Sequence, residues 1–303
     1  MSHEYYMHRC LQLAELAKGY TAPNPMVGAV LVHQNRVIGE GYHHFRGGPH
    51  AEVNCLNNVA PANKHLIPES TMYVSLEPCA HHGLTPPCAG RLVEEHVREV
   101  VIANRDPFAR VDGRGIAILQ AAGISVTTGV LEAEGRWLNR RFCCAHTIKR
   151  PWVILKWAQT TDGFVGTADR HPVAISGPEA QAASHRWRTE EGAIMVGFTT
   201  ALNDNPHLTP RLHNGKHPLR IVTDRHLQLP ATHHLLNAEA ATWVLNEREE
   251  TVAGNVHYIQ VPWGQPLLPA LLGRLYDAGI LSLIVEGGPT LHQSFITQNL
   301  WDE

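Results

Sequence analysis

The chain has 303 residues, with 25 basic and 28 acidic side chains and a formal net charge of -3. That length favours two domains over one core, and a near-balanced charge without a lysine or arginine run argues against a nucleic-acid partner. The N-terminus MSHEYYMHRC has no apolar core of signal-peptide length, and no later stretch is apolar enough to span a bilayer. Six cysteines, with Cys143 and Cys144 adjacent, suit a reducing compartment. A cytoplasmic protein away from membranes is expected.

Residues 4–18 place Met7, Cys10, Leu11, Ala14 and Ala17 on one helical stripe. Two β-rich runs follow, 27–33 and 37–43, joined by a turn of Gln34, Asn35 and Arg36. The spacing then predicts a helix from Ala51, a strand over 71–77, a helix from Cys88, a strand over 99–104, a helix over 113–123 and a strand over 124–129. Cys10 and Cys55 read as packing residues. The pattern restarts around HTIKRP, 146–151, which places the boundary between domains at 1–147 and 152–303. Beyond it come a strand in WVILKWAQ, a helix over 178–191, strands AIMVG, LRIVTD and TWVLN, a helix over 266–278 and the strand LSLIVEGG. Alternating strands and helices of this kind define α/β layers, and no internal repeat is present.

Chemistry concentrates in His50-Ala51-Glu52 and in PCAHHGLTPPC, Pro78 to Cys88. An imidazole and two thiolates are ligands for zinc, and a catalytic site with three protein ligands keeps an open position where water acidifies to a pKa of about 7. HxE followed by PCxxC is the general signature of zinc-dependent nucleobase deaminases, with the glutamate as proton carrier. Here eight residues separate Cys79 from Cys88. The bland alternative is a structural zinc completed by His81 or His82. Glu52 argues against it, because a structural site has no use for a carboxylate beside the metal, whereas deamination needs one to move protons. His50 opening one helix, and Pro86 and Pro87 placing Cys88 at the start of another, would favour thiolate at the helix N-terminus.

The runs TAPNPMVGAV, GYHHFRGGPHAE, EPCAHHGLTPPC and DPFARVDGRG together resemble the deaminase half of the bacterial bifunctional riboflavin-biosynthesis deaminase/reductase family, over nearly the whole first domain. The resemblance implies a cytidine-deaminase-like three-layer fold. It also implies zinc on His50, Cys79 and Cys88, Glu52 as the catalytic residue, and a 2,5-diamino-4-pyrimidinone ribosylamino phosphate held by Asn24, His43, His81 and Asp106. Leu84 stands where the family usually has a cation, so another basic group would have to meet the phosphate, with Arg91 and Arg110 nearby in sequence.

In the second half VEGGPTLHQS, 285–294, runs from a strand through two glycines into a helix start, an arrangement that offers amides to an anion. With ILKWAQTTDGFVG, 154–166, and the segment 175–211 it resembles the reductase half of the same family. That implies a dihydrofolate-reductase-like α/β domain using NADPH, and the absence of GxGxxG agrees with it. By motif position, Ala158, Ala174, Thr200, Asp204, Gly288, Pro289, Thr290, Leu291, His292, Gln293 and Ser294 would contact the cofactor. Pro172, Arg188, Leu208, Arg211 and Glu286 would meet substrate, the two arginines as forks for its phosphate. Lys156 and Asp162 would be pocket groups or an ion pair, and Ala174 replaces a common aromatic residue. Relatives continue for several dozen residues beyond LWDE, so a shortened C-terminus is expected, as is a homo-oligomer, dimer or tetramer. The rivals are a nucleoside or RNA deaminase with an accessory binding domain, and a regulatory module with a structural zinc.

Overall fold

The computed structural model describes residues 1–81, 86–167, 173–264 and 266–303. It divides into two compact units, Met1–Ile148 and Lys149–Glu303.

The first unit opens with α1 (His3–Glu15), whose Tyr6, Met7, Cys10, Leu13 and Ala14 recur at three and four residues and bury one face. β1 (Gly28–His33) and β2 (Arg36–Tyr42) form the expected hairpin, with a tighter turn than the sequence suggests. Arg36 pairs with His33, leaving only Gln34 and Asn35 to turn, at φ 47° and 64°. Positive φ at both central positions gives the twist that matches the flanking strands. Next come α2 (Ala51–Asn57), a 3-10 helix (Pro61–Glu69), β3 (Thr71–Leu76), α3 (Cys88–Glu94), β4 (Glu99–Asn104), α4 (Arg114–Ala121) and β5 (Ser125–Thr128). α5 (Glu132–Leu138) and α6 (Arg140–Ile148) close the unit, and neither was expected from sequence.

The sheet order is β2-β1-β3-β4-β5, antiparallel at the hairpin end and parallel from β3 onward. Side chains alternate across it. Ala29, Leu31, Met72, Val74, Val100 and Ile102 pack under α2, α3 and α4, while Val30, Val32, Tyr73, Val101 and Ala103 pack against α1. Three layers result. Each fully buried Leu, Met or Ile of this core contributes about 1.5–3 kcal/mol.

The second unit contains β6 (Trp152–Leu155), α7 (Pro178–Glu190), β7 (Ala193–Val196), α8 (Phe198–Asp204), β8 (Leu219–Thr223), β9 (Thr242–Asn246), β10 (Thr251–Ala253), β11 (Val256–Gln260), α9 (Leu267–Asp277), β12 (Ser282–Val285) and α10 (Pro289–Thr297). The order is β10-β11-β9-β8-β7-β12-β6, parallel except at β10. β7 and β12 are buried throughout, as parallel strands covered on both faces must be. Ala201 of α8 packs into the core of one face, and Leu291 and Phe295 of α10 into the core of the other. The chain therefore leaves neighbouring strands β7 and β12 toward opposite faces, and their carboxyl ends form a switch point of the kind that opens a ligand crevice. Among the described residues no helix is long and apolar enough to cross a membrane.

Candidate active sites

His50 is the residue preceding α2, Cys79 follows the end of β3, and Cys88 is the first residue of α3. These termini converge at the edge of one cavity. The ligand atoms of His50, Cys79 and Cys88 lie within 4.8 Å of one another, and among the described residues no fourth side chain joins the group. His81 stands apart from it, against Phe108 at 5.7 Å between ring centroids, and His82 lies outside the described residues. His50 Nδ1 is 3.5 Å from Cys79 Sγ and 3.3 Å from Cys88 Sγ, and the Cys88 amide donates to Cys79 Sγ at 3.3 Å. The hydrogen bond from the Cys88 thiol, helped by His50, holds Cys79 well below the usual thiol range, while the same bond and burial push Cys88 up. An imidazole nitrogen beside two sulfurs, one of them held toward its thiolate form, is a donor set that fits zinc.

Glu52 is the second residue of α2 and is 3 % exposed. Burial, and then the charge of Cys79, push its carboxyl up to about 7. A proton can therefore be taken or given near neutral pH. The cavity of about 340 Å³ is lined by His50, Glu52 and Cys79 and by all four residues assigned to substrate, Asn24, His43, His81 and Asp106. His43 donates from Nδ1 to the Pro49 carbonyl (3.1 Å) and accepts from Asn24 Nδ2 (3.2 Å), which fixes its tautomer; burial lowers its pKa. Asp106 accepts from the Phe108 amide at 2.8 Å and is pushed up to about 7 by burial. The loop carrying Asn24 is clamped by Asn139, which accepts from the Met26 amide and donates to its carbonyl, both at 2.8 Å.

Sequence reading missed Glu77, Phe108, Phe142 and His146, which line the same cavity. Phe142 and His146 sit on the unexpected α6, and nothing in their spacing singles them out. Of the two arginines considered for the phosphate, Arg91 is engaged by Glu95 at 2.6 Å, while Arg110 is exposed. Leu84 lies outside the described residues.

In the second unit a cavity of about 930 Å³ opens at the carboxyl ends of β7 and β12. Thr200, Asp204, Gly288, Pro289, Thr290, Leu291 and Ser294 line it. His292 and Gln293 do not. Helical periodicity turns them aside: His292 Nε2 bonds the Val285 carbonyl at 2.9 Å and Gln293 bonds Thr297 at 3.0 Å. A β-carbon on Gly288 would stand 2.9 Å from Thr200 Oγ1, so a larger residue there would have to displace the Thr200 hydroxyl. Burial pushes the Asp204 carboxyl up. Ala158 lines a separate cavity of about 570 Å³ with Lys156 and Trp187. Ala174 is exposed, and Pro172 lies outside the described residues. A crevice floored by glycines and by the amides at the start of α10 fits a dinucleotide.

Two residues assigned to substrate pair with each other instead of standing free. Arg188 donates to both Glu286 oxygens (3.1 and 2.8 Å) and to the Thr209 carbonyl (3.2 Å), with Arg188 and Glu286 each 11 % exposed. Leu208 is 2 % exposed within the core, so its side chain packs and only its backbone is left for a ligand. Arg211 is exposed on the same loop. Asp162 accepts from the Thr160 hydroxyl and forms no ion pair with Lys156 among the described residues.

Fold and sites together define the class: a zinc deaminase unit of cytidine-deaminase-like fold followed by a reductase unit of dihydrofolate-reductase-like fold. The family model for the cytidine and deoxycytidylate deaminase zinc-binding region matches residues 1–104, and that for the RibD C-terminal domain matches residues 151–303. Riboflavin biosynthesis protein RibD of Aquifex aeolicus is 39% identical over 303 residues, covering 98% of this chain and 84% of that protein. RibD of Escherichia coli is 35% identical over 320 residues, covering 100% and 86%. The crystal structure of a diaminohydroxyphosphoribosylaminopyrimidine deaminase/5-amino-6-(5-phosphoribosylamino)uracil reductase from Thermotoga maritima superposes with a TM-score of 0.89 at 35% identity, covering 98% of this chain and 84% of that one. The chain belongs to the RibD family.

Proposed function

We propose that this chain performs two consecutive steps of riboflavin biosynthesis. The first is hydrolytic deamination of 2,5-diamino-6-(5-phosphoribosylamino)pyrimidin-4-one. The second is NADPH-dependent reduction of the ribosyl group to ribityl. The observation that carries the reading is the cluster of His50, Cys79 and Cys88, with His50 and Cys79 lining one cavity together with Glu52. In this assignment residues 1–147 deaminate and residues 152–303 reduce.

His50, Cys79 and Cys88 hold zinc, which when bound supplies the acidity that makes water a nucleophile near neutral pH. Water adds to the ring carbon bearing the amine, the C–N bond breaks, and ammonia leaves. Glu52 carries one water proton to the ring nitrogen as the oxygen adds, then takes the second proton, from the added hydroxyl, to the amine, which departs as ammonia and leaves the carbonyl. Asn24, His43, His81 and Asp106 orient the ring and sugar with their hydrogen-bonding groups. NADPH, when bound, supplies the hydride that reduces ribose C1. The residues of the second unit align the two reactants there: the crevice beside Thr200, Asp204 and Gly288 takes the dinucleotide, and Arg188, Arg211 and Glu286 take the substrate.

The substrate is a small molecule, and we propose no nucleic-acid partner, a cytoplasmic location consistent with six free cysteines, and a homo-oligomer to be read by light scattering. With the authentic pyrimidine phosphate alone the enzyme should release ammonia, and with NADPH added it should then consume one cofactor per ammonia. Absence of ammonia release, or NADPH consumption without prior deamination, would contradict the scheme.

A further inference from the structure

Glu77 ends the run TMYVSLE two residues ahead of Cys79 and is 3 % exposed. Burying a carboxylate is costly unless its oxygens are fully satisfied, and among the described residues no cation pairs with this one. Four backbone amides do so instead. Oε2 accepts from Asp106 N–H (3.2 Å) and Gly113 N–H (2.9 Å), and Oε1 from Gly115 N–H (2.9 Å) and Ile116 N–H (3.3 Å). Glu77 thus caps α4 from a distant strand end, where negative charge complements the helix dipole.

Capping a helix needs no partner 36 to 39 residues away in sequence; a neighbouring Ser or Asp suffices. What the distant cap adds is a tie between two walls of one cavity. The segment between Asp106 and Gly113 carries Asp106, Phe108 and Val111, all of which line the deaminase cavity, while Glu77 runs directly into Pro78 and the metal-binding Cys79. The far side is pinned by contact: a β-carbon on Gly115 would meet the Pro78 carbonyl oxygen at 2.0 Å, so α4 rests against the same strand end.

We propose that Glu77 is a positioning residue of the deaminase, holding the wall of Asp106 and Phe108 in register with the metal loop so that the pyrimidine meets Glu52 in one pose. This rests on the deaminase reading above. Glu77→Gln keeps the shape but turns an NH2 group toward amide donors, so two of the four bonds are lost. The expected result is a rise in the deaminase KM of about 10–100-fold, the range for residues that orient a site from behind. kcat should change far less, zinc content should equal that of the wild type, and reductase turnover should be unchanged, with Glu77→Asp falling between. Binding of the diaminopyrimidinone phosphate to holoenzyme carrying Glu52→Ala, with and without Glu77→Gln, should show the same loss without turnover. Slow amide exchange at Asp106, Gly113 and Gly115 in the wild-type holoenzyme is required as well, and does not depend on any variant folding. Unchanged KM and binding with only a lowered melting temperature, zinc loss in proportion to activity, or fast exchange at those amides would each overturn the assignment. A wild-type enzyme that releases no ammonia would instead defeat the deaminase reading itself.

Discussion

In the Met1–Ile148 unit the chemistry sits on side chains: one imidazole and two sulfurs gather at the ends of α2, β3 and α3, and His50, Cys79 and Glu52 line a cavity of about 340 Å³. In the Lys149–Glu303 unit the larger crevice runs past the turns at Gly197 and Gly288 with one lining carboxyl, Asp204, while outside its lining Arg188 and Glu286 are engaged with each other. A side-chain site fails all at once when one atom is removed, whereas a backbone-built site is eroded through the contacts that shape its loops. Substitutions in the two units should therefore separate cleanly, in size and in kind.

The largest effect should come from Glu52→Ala. Removing the buried carboxyl two residues from His50 should slow ammonia release by about 10²–10⁴-fold, the usual contribution of a general acid–base group. Zinc content and reduction of the already deaminated substrate should stay at wild-type levels. Metal loss in this variant would mean that Glu52 holds the site together instead of moving protons, and slowed reduction would mean that the two activities share a site.

Next in size is Arg188→Ala. It strands a Glu286 carboxylate that is 11 % exposed, and breaking a buried pair from one side costs about 3–5 kcal/mol. Chemical denaturation should report that loss in the second unit, and reduction should fall with it. Joint replacement, Arg188→Leu with Glu286→Leu, should restore most of the stability, since apolar side chains of similar volume substitute well for such pairs, yet leave reduction impaired. Recovery of reduction would show that the pair is a packing element only. The exposed Arg211→Ala should raise the reductase KM by about 10–100-fold through one lost charge-assisted contact to phosphate, with deamination untouched.

The same contrast governs what the sequence alone made legible. The HAE and PCAHHGLTPPC segments carry their chemistry in residue identity, so the three ligands, Glu52 and the four cavity residues could be named from motif and resemblance; all but Cys88 line one cavity, and Cys88 stands with His50 and Cys79. Glu77, Phe142 and His146 could not. Their part comes from the approach of α4 and α6, and α6 lies in a stretch whose moderate periodicity marks no element. In the second unit the strands LRIVTD and TWVLN were visible as apolar runs, but the edge pair β10–β11 was not, because the short β10 is exposed throughout. Reading 288–294 as one continuous cofactor contact ignored the turn of the helix, which sends His292 and Gln293 elsewhere. Leu208 buries its side chain in the core, so a ligand could meet only its backbone, a distinction that burial makes and sequence position does not.

The smallest predicted effect sharpens the comparison from the loop side. Glu239 accepts from His207 Nδ1 (2.8 Å) and from the Thr209 hydroxyl (2.8 Å), anchoring the loop that carries Leu208 and Arg211 and whose Thr209 carbonyl meets Arg188. The hydrogen bond from His207, with further ones from Thr209 and Asn237, lowers the Glu239 pKa from 4.5 to about 2. A folded-state value below the unfolded one stabilises the fold fully above pH 4.5 and progressively less as pH falls toward 2. With its side chain 31% exposed, Glu239 is screened by solvent and the effect is modest. Glu239→Gln should therefore flatten part of the stability loss between those pH values, measured as the denaturation midpoint of the second unit. It should also raise the reductase KM by less than Arg211→Ala does, because the loop is loosened while its arginine remains. An unaltered acid slope would show that Glu239 is not held in its charged form by these partners. A KM effect exceeding that of Arg211→Ala would place Glu239 itself in the substrate site, which is the outcome a backbone-shaped crevice does not allow.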